Sequence, residues 1–316
     1  MHPNNNITMT NIISDYIRLA RPTHWIKSIF VFIPLFFGGN IYIASDLSAT
    51  FLTFLAFCFA SSSIYCINDI VDAKSDRQHP TKKFRPVASG RVSIAEAYSI
   101  MVVLGIIALM LLTIVPMAFN SFHRQLIRPN CLMPTLGIVI LYFVTNIGYC
   151  LKMKQYAIVD VCLIAAGYVM RIVAGGICTD IALSKWIVLM TFLLTLFLAF
   201  TKRRDDVLIM KETGKAPRKN TSRYSLTFIN QSITISGSVM IVCYIMYTVS
   251  PEVTMRFGND YLYLTSILVV VGLLRYIQIT VVYEKSGDPV KVIFTDHAIQ
   301  LILIAWIVSF LVVIYL

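Results

Sequence analysis

Charge is scarce in this chain. Only 14% of its 316 residues are Asp, Glu, Lys or Arg, while 57% are apolar. Soluble globular domains carry about a quarter charged residues, so this balance excludes an ordinary cytosolic enzyme. The wealth of apolar side chains equally excludes a disordered chain. Acids are scarcer than bases, 16 against 27, which leaves a net charge of +11. On a soluble protein that surplus would suggest nucleic acid. On so apolar a chain it reads as a topology signal and a hint of anionic ligands, and no nucleic-acid partner is expected. The seven cysteines (Cys58, Cys66, Cys131, Cys150, Cys162, Cys178, Cys243) include no CxxC pair. That leaves no disulfide or zinc framework and makes them small buried hydrophobes. The five histidines form no HxxxH or HxH pair, and the polar N-terminus lacks the short apolar core of a cleavable signal peptide.

Long apolar runs are what the chain has in quantity. Nine fall near residues 25–43, 49–67, 94–119, 132–149, 158–177, 186–200, 233–249, 261–282 and 298–316. Each is near the ~20 residues a helix needs to cross ~30 Å of hydrocarbon. The runs are continuous rather than alternating, which selects helices over a barrel. The expected fold is an all-α membrane protein, a single domain over 1–316 with nine transmembrane helices and a polar tail at 1–16. With the N-terminus in the cytoplasm, the outside loops hold only Arg124, Arg128, Lys185 and Arg256. Arg171 and Arg275 fall inside spans, and every other cation lies on the inner side, a strong positive-inside pattern. Two inner connections, after the second and sixth runs, are long and hold most of the cations together with clustered acids. Long polar loops on a compact bundle are where chemistry tends to sit.

The second run ends in Tyr65-Cys66-Ile67-Asn68-Asp69-Ile70-Val71-Asp72-Ala73-Lys74-Ser75-Asp76. If the helix continues, Asp69, Asp72 and Asp76 share one face, with Asn68 one turn before Asp72. Like charges so placed repel unless a cation neutralises them. Mg²⁺ is the economical answer, because it takes oxygen ligands from one or two carboxylates plus substrate phosphates. The competing reading is a solvated helix end paired with Lys74 and Arg77; it is disfavoured because the acids end an apolar span and face a cationic loop. That loop, His79-Pro80-Thr81-Lys82-Lys83-Phe84-Arg85-Pro86, sets cations between stiffening prolines. Arg offers a planar fork for phosphate and Lys a mobile point charge. Acids for a metal beside cations for phosphates are what a diphosphate site requires.

At these residues the chain resembles the UbiA superfamily of intramembrane prenyltransferases. The resemblance rests on Arg21-Pro22, the NDxxDxxxD run Asn68 to Asp76, and Arg85-Pro86-Val87-Ala88-Ser89-Gly90. Within it, the chain looks closer to the polyprenyl-phosphate phosphoribosyltransferases, best known for acting on decaprenyl phosphate. Trp25-Ile26-Lys27, Tyr65, Asp76 to Lys82, Tyr168 to Gly176, Leu183 to Trp186, Lys202-Arg203 and Leu274-Arg275-Tyr276 carry that closer likeness. Members that prenylate aromatic acceptors have a second acidic motif after the sixth helix. Here that place reads Lys202-Arg203-Arg204-Asp205-Asp206, which favours the phosphoribosyl subgroup.

The resemblance implies a cavity facing the cytoplasm of a bacterial inner membrane. It implies transfer of the 5-phosphoribosyl group of 5-phosphoribosyl 1-diphosphate (PRPP) to a polyprenyl phosphate, with Mg²⁺ as cofactor. Asp69, Asp72 and Asp76 are the expected catalytic acids, and Asn68, Asp72 and Asp76 the expected metal ligands. Lys27, Tyr65, Lys82, Lys83, Arg85, Lys202, Arg203 and Tyr224 are the candidates for donor phosphates. Arg21, Lys27 and Arg171 are the candidates for the acceptor phosphate; Arg171 lies within an apolar span, where an unpaired cation is expensive. Two other classes stay open: prenyl transfer to an aromatic or other acceptor, and transport of anionic solutes. No inverted repeat is visible to support the second.

Overall fold

A computed structural model describes residues 9–78, 82–120, 127–218, 220–284 and 289–315. His79, Pro80 and Thr81 of the cationic loop, and the cations Arg124, Lys219 and Lys285, lie outside them. Among the described residues every regular element is helical. The α-helices are α1 (Met9–Ala20), α2 (Ile33–Phe37), α3 (Ala44–Asp76), α4 (Ile94–Leu112), α5 (Ile114–Asn120), α6 (Pro129–Leu151) and α7 (Val159–Thr179). After them come α8 (Lys185–Thr213), α9 (Leu226–Thr248), α10 (Pro251–Phe257), α11 (Thr265–Val281), α12 (Pro289–Thr295) and α13 (His297–Tyr315).

Seven segments among the described residues are long and apolar enough to cross a membrane. They are α3, α4 continued into α5, α6, α7, α8, α9 and the stretch Tyr261–Val281; α12 and α13, bent by 88°, make an eighth if taken as one span. The first of the nine expected runs takes another form. Pro22–Phe32 winds as a 3-10 helix and Ile33–Phe37 as the short α2. Its apolar composition suits a span, but Pro22 and Pro34 each remove a backbone donor and start a fresh helical segment.

The chain forms two compact units. One comprises Met1–Met153 and Gly167–Leu183, the other Lys154–Ala166 and Ser184–Leu316. In the first, small residues let the backbone approach α3 and α7. Ser62 of α3 donates to the Ala20 carbonyl at 2.6 Å and accepts from the Trp25 indole at 2.9 Å, and Ser63 donates to the Met101 carbonyl of α4 at 2.8 Å. Such interhelical bonds from small polar residues substitute for the hydrophobic drive that lipid does not supply. Gly175 of α7 lies so close to the 3-10 segment that a Cβ there would collide with the Val31 carbonyl. Gly175→Ala should therefore lower stability by about 1–3 kcal/mol, the cost of overpacking. A thermal melt in detergent reads this as a clear drop in midpoint, and an unchanged midpoint would contradict the packing.

The second unit is centred on Phe197, Phe200, Ile229, Ile233, Met240 and Tyr276 from α8, α9 and α11. Arg204 of α8 is 4% exposed and binds the last carbonyls of α11, donating to Thr280 at 2.8 Å, with Asn230 and Glu284 completing its partners. Arg275, which the sequence leaves without an evident partner, pairs with Asp296 at 2.8 Å, and Asp296 in turn caps α13 by accepting from the Ile299 N–H.

Candidate functional site

The helix does continue. α3 runs 33 residues, to Asp76, so Asp69, Asp72 and Asp76 lie along one face as the spacing requires. Their environments differ. Asp69 and Asp76 are 2% and 4% exposed, while Asn68 and Asp72 are partly buried. Arg21 donates to Asp69 Oδ1 at 2.5 Å, and Arg85 reaches both carboxylates, Asp69 Oδ1 at 3.2 Å and Asp76 Oδ2 at 2.7 Å. The second oxygen of Asp69 is buried without a hydrogen-bond partner. Arg85 thus bridges Asp69 and Asp76 and Arg21 pairs with Asp69, and neither arginine is a sequence neighbour on the helix.

Local backbone places each arginine. Arg21 sits between α1 and the 3-10 helix at φ 51°, a left-handed conformation that costs a non-glycine residue free energy and that cooperating contacts must hold. Its guanidinium also lies 5.0 Å above the Tyr65 ring, and the Tyr65 hydroxyl is 3.1 Å from His24 Nδ1. Arg85 opens a closed turn. The Ser89 N–H bonds the Arg85 carbonyl at 2.9 Å, the Val92 N–H bonds Pro86 at 3.1 Å, and Gly90 takes φ 79°, for which glycine is suited. Arg91 pins this turn to α1, donating to both Asp15 oxygens and to the Phe84 carbonyl. Lys82 is partly buried and Lys83 exposed, its ammonium over the Phe84 ring; Lys27 is partly buried on the 3-10 helix.

The second unit holds a different cluster. Asp160, in the first turn of α7, is fully buried; it accepts from Arg203 Nε at 2.7 Å and from the Tyr224 hydroxyl at 2.7 Å. Arg203, 1% exposed, also donates to Asp206 at 2.5 Å, and Arg218 stands 3.2 Å from the same oxygen. The Tyr224 oxygen accepts from the Ile158 N–H at 2.7 Å, and Ile158 has φ 68°, a conformation strained for a β-branched residue. Burial first, then the bond to Asp160, pushes the Tyr224 hydroxyl above the ordinary phenol range, so it stays a donor. Arg203 and Tyr224, expected at donor phosphates, therefore form part of a buried network, while Lys202 beside them is exposed. Asp160 was missed in the sequence. An acid at the edge of an apolar run is the signal that marks it, by the same rule that singles out Arg171.

Arg171 is 5% exposed within α7. It donates to the Gly167 carbonyl at 2.7 Å and to the Tyr142 hydroxyl at 3.0 Å, with the rings of Phe57, Tyr142 and Tyr168 each within 5.5 Å of its guanidinium carbon.

Whether these residues suit a divalent cation can be judged from the donors. Among the described residues no group of three or more His, Cys, Asp or Glu side chains forms a ready cage. Asp69 and Asp76 are engaged by arginine, one oxygen of Asp69 is buried without a partner, and Asn68 and Asp72 add two more oxygen-bearing side chains to the same stretch of α3. Few ligands on a polar helix face suit magnesium, which keeps water and takes the rest of its shell from substrate phosphates.

Residues 31–297 match the model of the UbiA prenyltransferase family. The chain is 32% identical over 312 residues to the decaprenyl-phosphate phosphoribosyltransferase of Mycolicibacterium smegmatis, covering 94% of this chain and 91% of that protein. It is 29% identical over 304 residues to the enzyme of the same name from Mycobacterium tuberculosis, covering 95% and 94%. Among solved structures, a UbiA homolog from Archaeoglobus fulgidus bound to GPP and Mg²⁺ matches with a TM-score of 0.66 at 18% identity, over 96% of this chain and all of that one.

Proposed function

The chain belongs to the UbiA prenyltransferase family, and on that premise we propose that it transfers the 5-phosphoribosyl group of PRPP to a polyprenyl phosphate, releasing diphosphate. The observation that carries this reading is the arginine-bridged acidic face of α3 beside the cationic turn at 82–85. It is supported by the names of the relatives and by the Lys202-Arg203-Arg204 sequence where aromatic prenyltransferases place a second acidic motif.

Asn68 and Asp72, with Asp69 and Asp76 behind them, are the side chains that would hold magnesium. When bound, that ion supplies charge neutralisation for the departing diphosphate. Lys82, Lys83 and Arg85 bind the donor's phosphates, and Lys27 and Tyr65 border them. In the second unit Lys202 is an exposed cation on α8, next to Arg203, which Asp160 holds together with Tyr224. Arg21 fixes Asp69. The acceptor needs no strong base, because a phosphate monoester is already anionic at neutral pH. Rate enhancement then comes from positioning and electrostatic stabilisation rather than proton transfer. On this reading the reaction takes place at the cytoplasmic side of nine spans, the first of them the broken segment at Pro22–Phe37.

Diphosphate release by the purified chain in detergent tests this. Release should need PRPP, a polyprenyl phosphate and magnesium together, and should stop when EDTA removes the metal. Release that persists in EDTA, or that proceeds from a prenyl diphosphate instead of PRPP, would overturn the reading.

A further inference from the structure

Arg171 stands out among the buried charges. The other deeply buried cations have carboxylate partners: Arg203 pairs with Asp160 and Asp206, and Arg204 with Glu284. Arg171 has none among the described residues. Its five N–H groups meet one carbonyl and one phenol, and Nε is buried with no partner. Its other neighbours are the faces of Phe57, Tyr142 and Tyr168, which attract a cation without neutralising it. It lies near the middle of α7, a helix long and apolar enough to span the membrane. A guanidinium so placed is costly unless an anion joins it.

The surroundings say what kind of anion. Nε lies on an edge of the guanidinium that can bind two oxygens side by side, the pattern that matches a phosphate. A single fork suits one phosphate group. Depth in an apolar span suits a phosphate carried on a hydrocarbon chain rather than a water-soluble sugar with several phosphates, for which the partly buried Lys82 and exposed Lys83 are better placed. Tyr65, one turn before Asp69 on the same helix α3 as Phe57, lies beneath Arg21.

We infer that Arg171 with its aromatic surround is the subsite that takes the phosphate end of the lipid acceptor, the substrate anion serving as its missing counter-ion. The inference rests on the transfer reaction proposed above, and it adds that acceptor and donor phosphates are read by separate cations. Binding of the acceptor should then stabilise the protein through this residue.

The test uses the full chain in detergent, with decaprenyl phosphate, neutral decaprenol and PRPP as separate probes. Thermal midpoints and binding constants are measured for the wild type, Arg171→Gln and Arg171→Lys. The wild type should be stabilised by decaprenyl phosphate and not by decaprenol. Arg171→Gln should lose that increment and bind decaprenyl phosphate at least about tenfold more weakly, the effect of roughly 1.4 kcal/mol. Arg171→Lys, which keeps the charge without the fork, should fall between. PRPP binding should stay within about twofold in all three, since a tenfold step is the scale of one lost charged contact. Undiminished decaprenyl phosphate binding by Arg171→Gln would overturn the inference, as would a loss of PRPP binding instead. A wild type that binds decaprenyl phosphate no better than decaprenol would overturn the transfer reaction as well, so the two failures are told apart.

Discussion

Asp72→Ala lowers turnover by about a hundred- to a thousandfold, the scale on which removal of one preorganised electrostatic group slows an enzyme, while the melting midpoint stays near that of the wild type. The reason is the division of labour on α3. Asp69 and Asp76 are buried and tied to Arg21 and Arg85, so their loss disturbs structure as well as chemistry. Asp72 is partly buried and stands one turn from Asn68. On the proposed function it serves a cation that arrives with substrate. Asp69→Asn should in contrast depress both activity and stability, because it weakens the anchor of two arginines at once. Magnesium titration of the rate separates the roles: Asp72→Ala should demand much more metal for whatever rate remains. If Asp72→Ala keeps most of its rate at ordinary magnesium, the metal assignment fails.

Asp160→Ala should be the most destabilising single change in the second unit. It removes the partner of a guanidinium that is 1% exposed and also leaves the Tyr224 hydroxyl without its acceptor. Breaking a buried ion pair from one side costs about 3–5 kcal/mol, because the remaining charge stays buried and uncompensated. Tyr224→Phe should cost less, about 1–3 kcal/mol, the scale of leaving a buried polar group unsatisfied. It should also release the strained turn at Ile158, whose N–H then has no acceptor from Tyr224. Thermal melts of both variants in one detergent give the comparison. Equal midpoints for Asp160→Ala and wild type would show that the network contributes nothing to stability.

The shared face of the three acids was legible in the sequence, because that information is local. The three acids share a face because α3 runs on without a break to Asp76, and helical spacing is enough to say so. What spacing cannot supply is which distant side chain meets the acids. Arg21 precedes Asp69 by 48 positions and reaches it through a left-handed turn that no residue-type rule would assign to arginine. Arg203 and Tyr224 show the opposite failure. In a cationic loop they look available to ligand, yet an acid at the head of another helix draws them inside. The run at 25–43 shows that counting apolar residues measures length in lipid but not continuity of helix, and a fresh segment starts at Pro34 within it.

The family and its helical membrane fold are established by the comparisons, and the proposed function turns on which donor the protein uses. Mass spectrometry of the lipid after incubation with PRPP, magnesium and decaprenyl phosphate tests that most directly. The account predicts a decaprenyl phosphate heavier by one phosphoribosyl group, formed by the wild type and not by Asp72→Ala. An unchanged lipid beside a prenylated acceptor, when prenyl diphosphate is offered in its place, would contradict it.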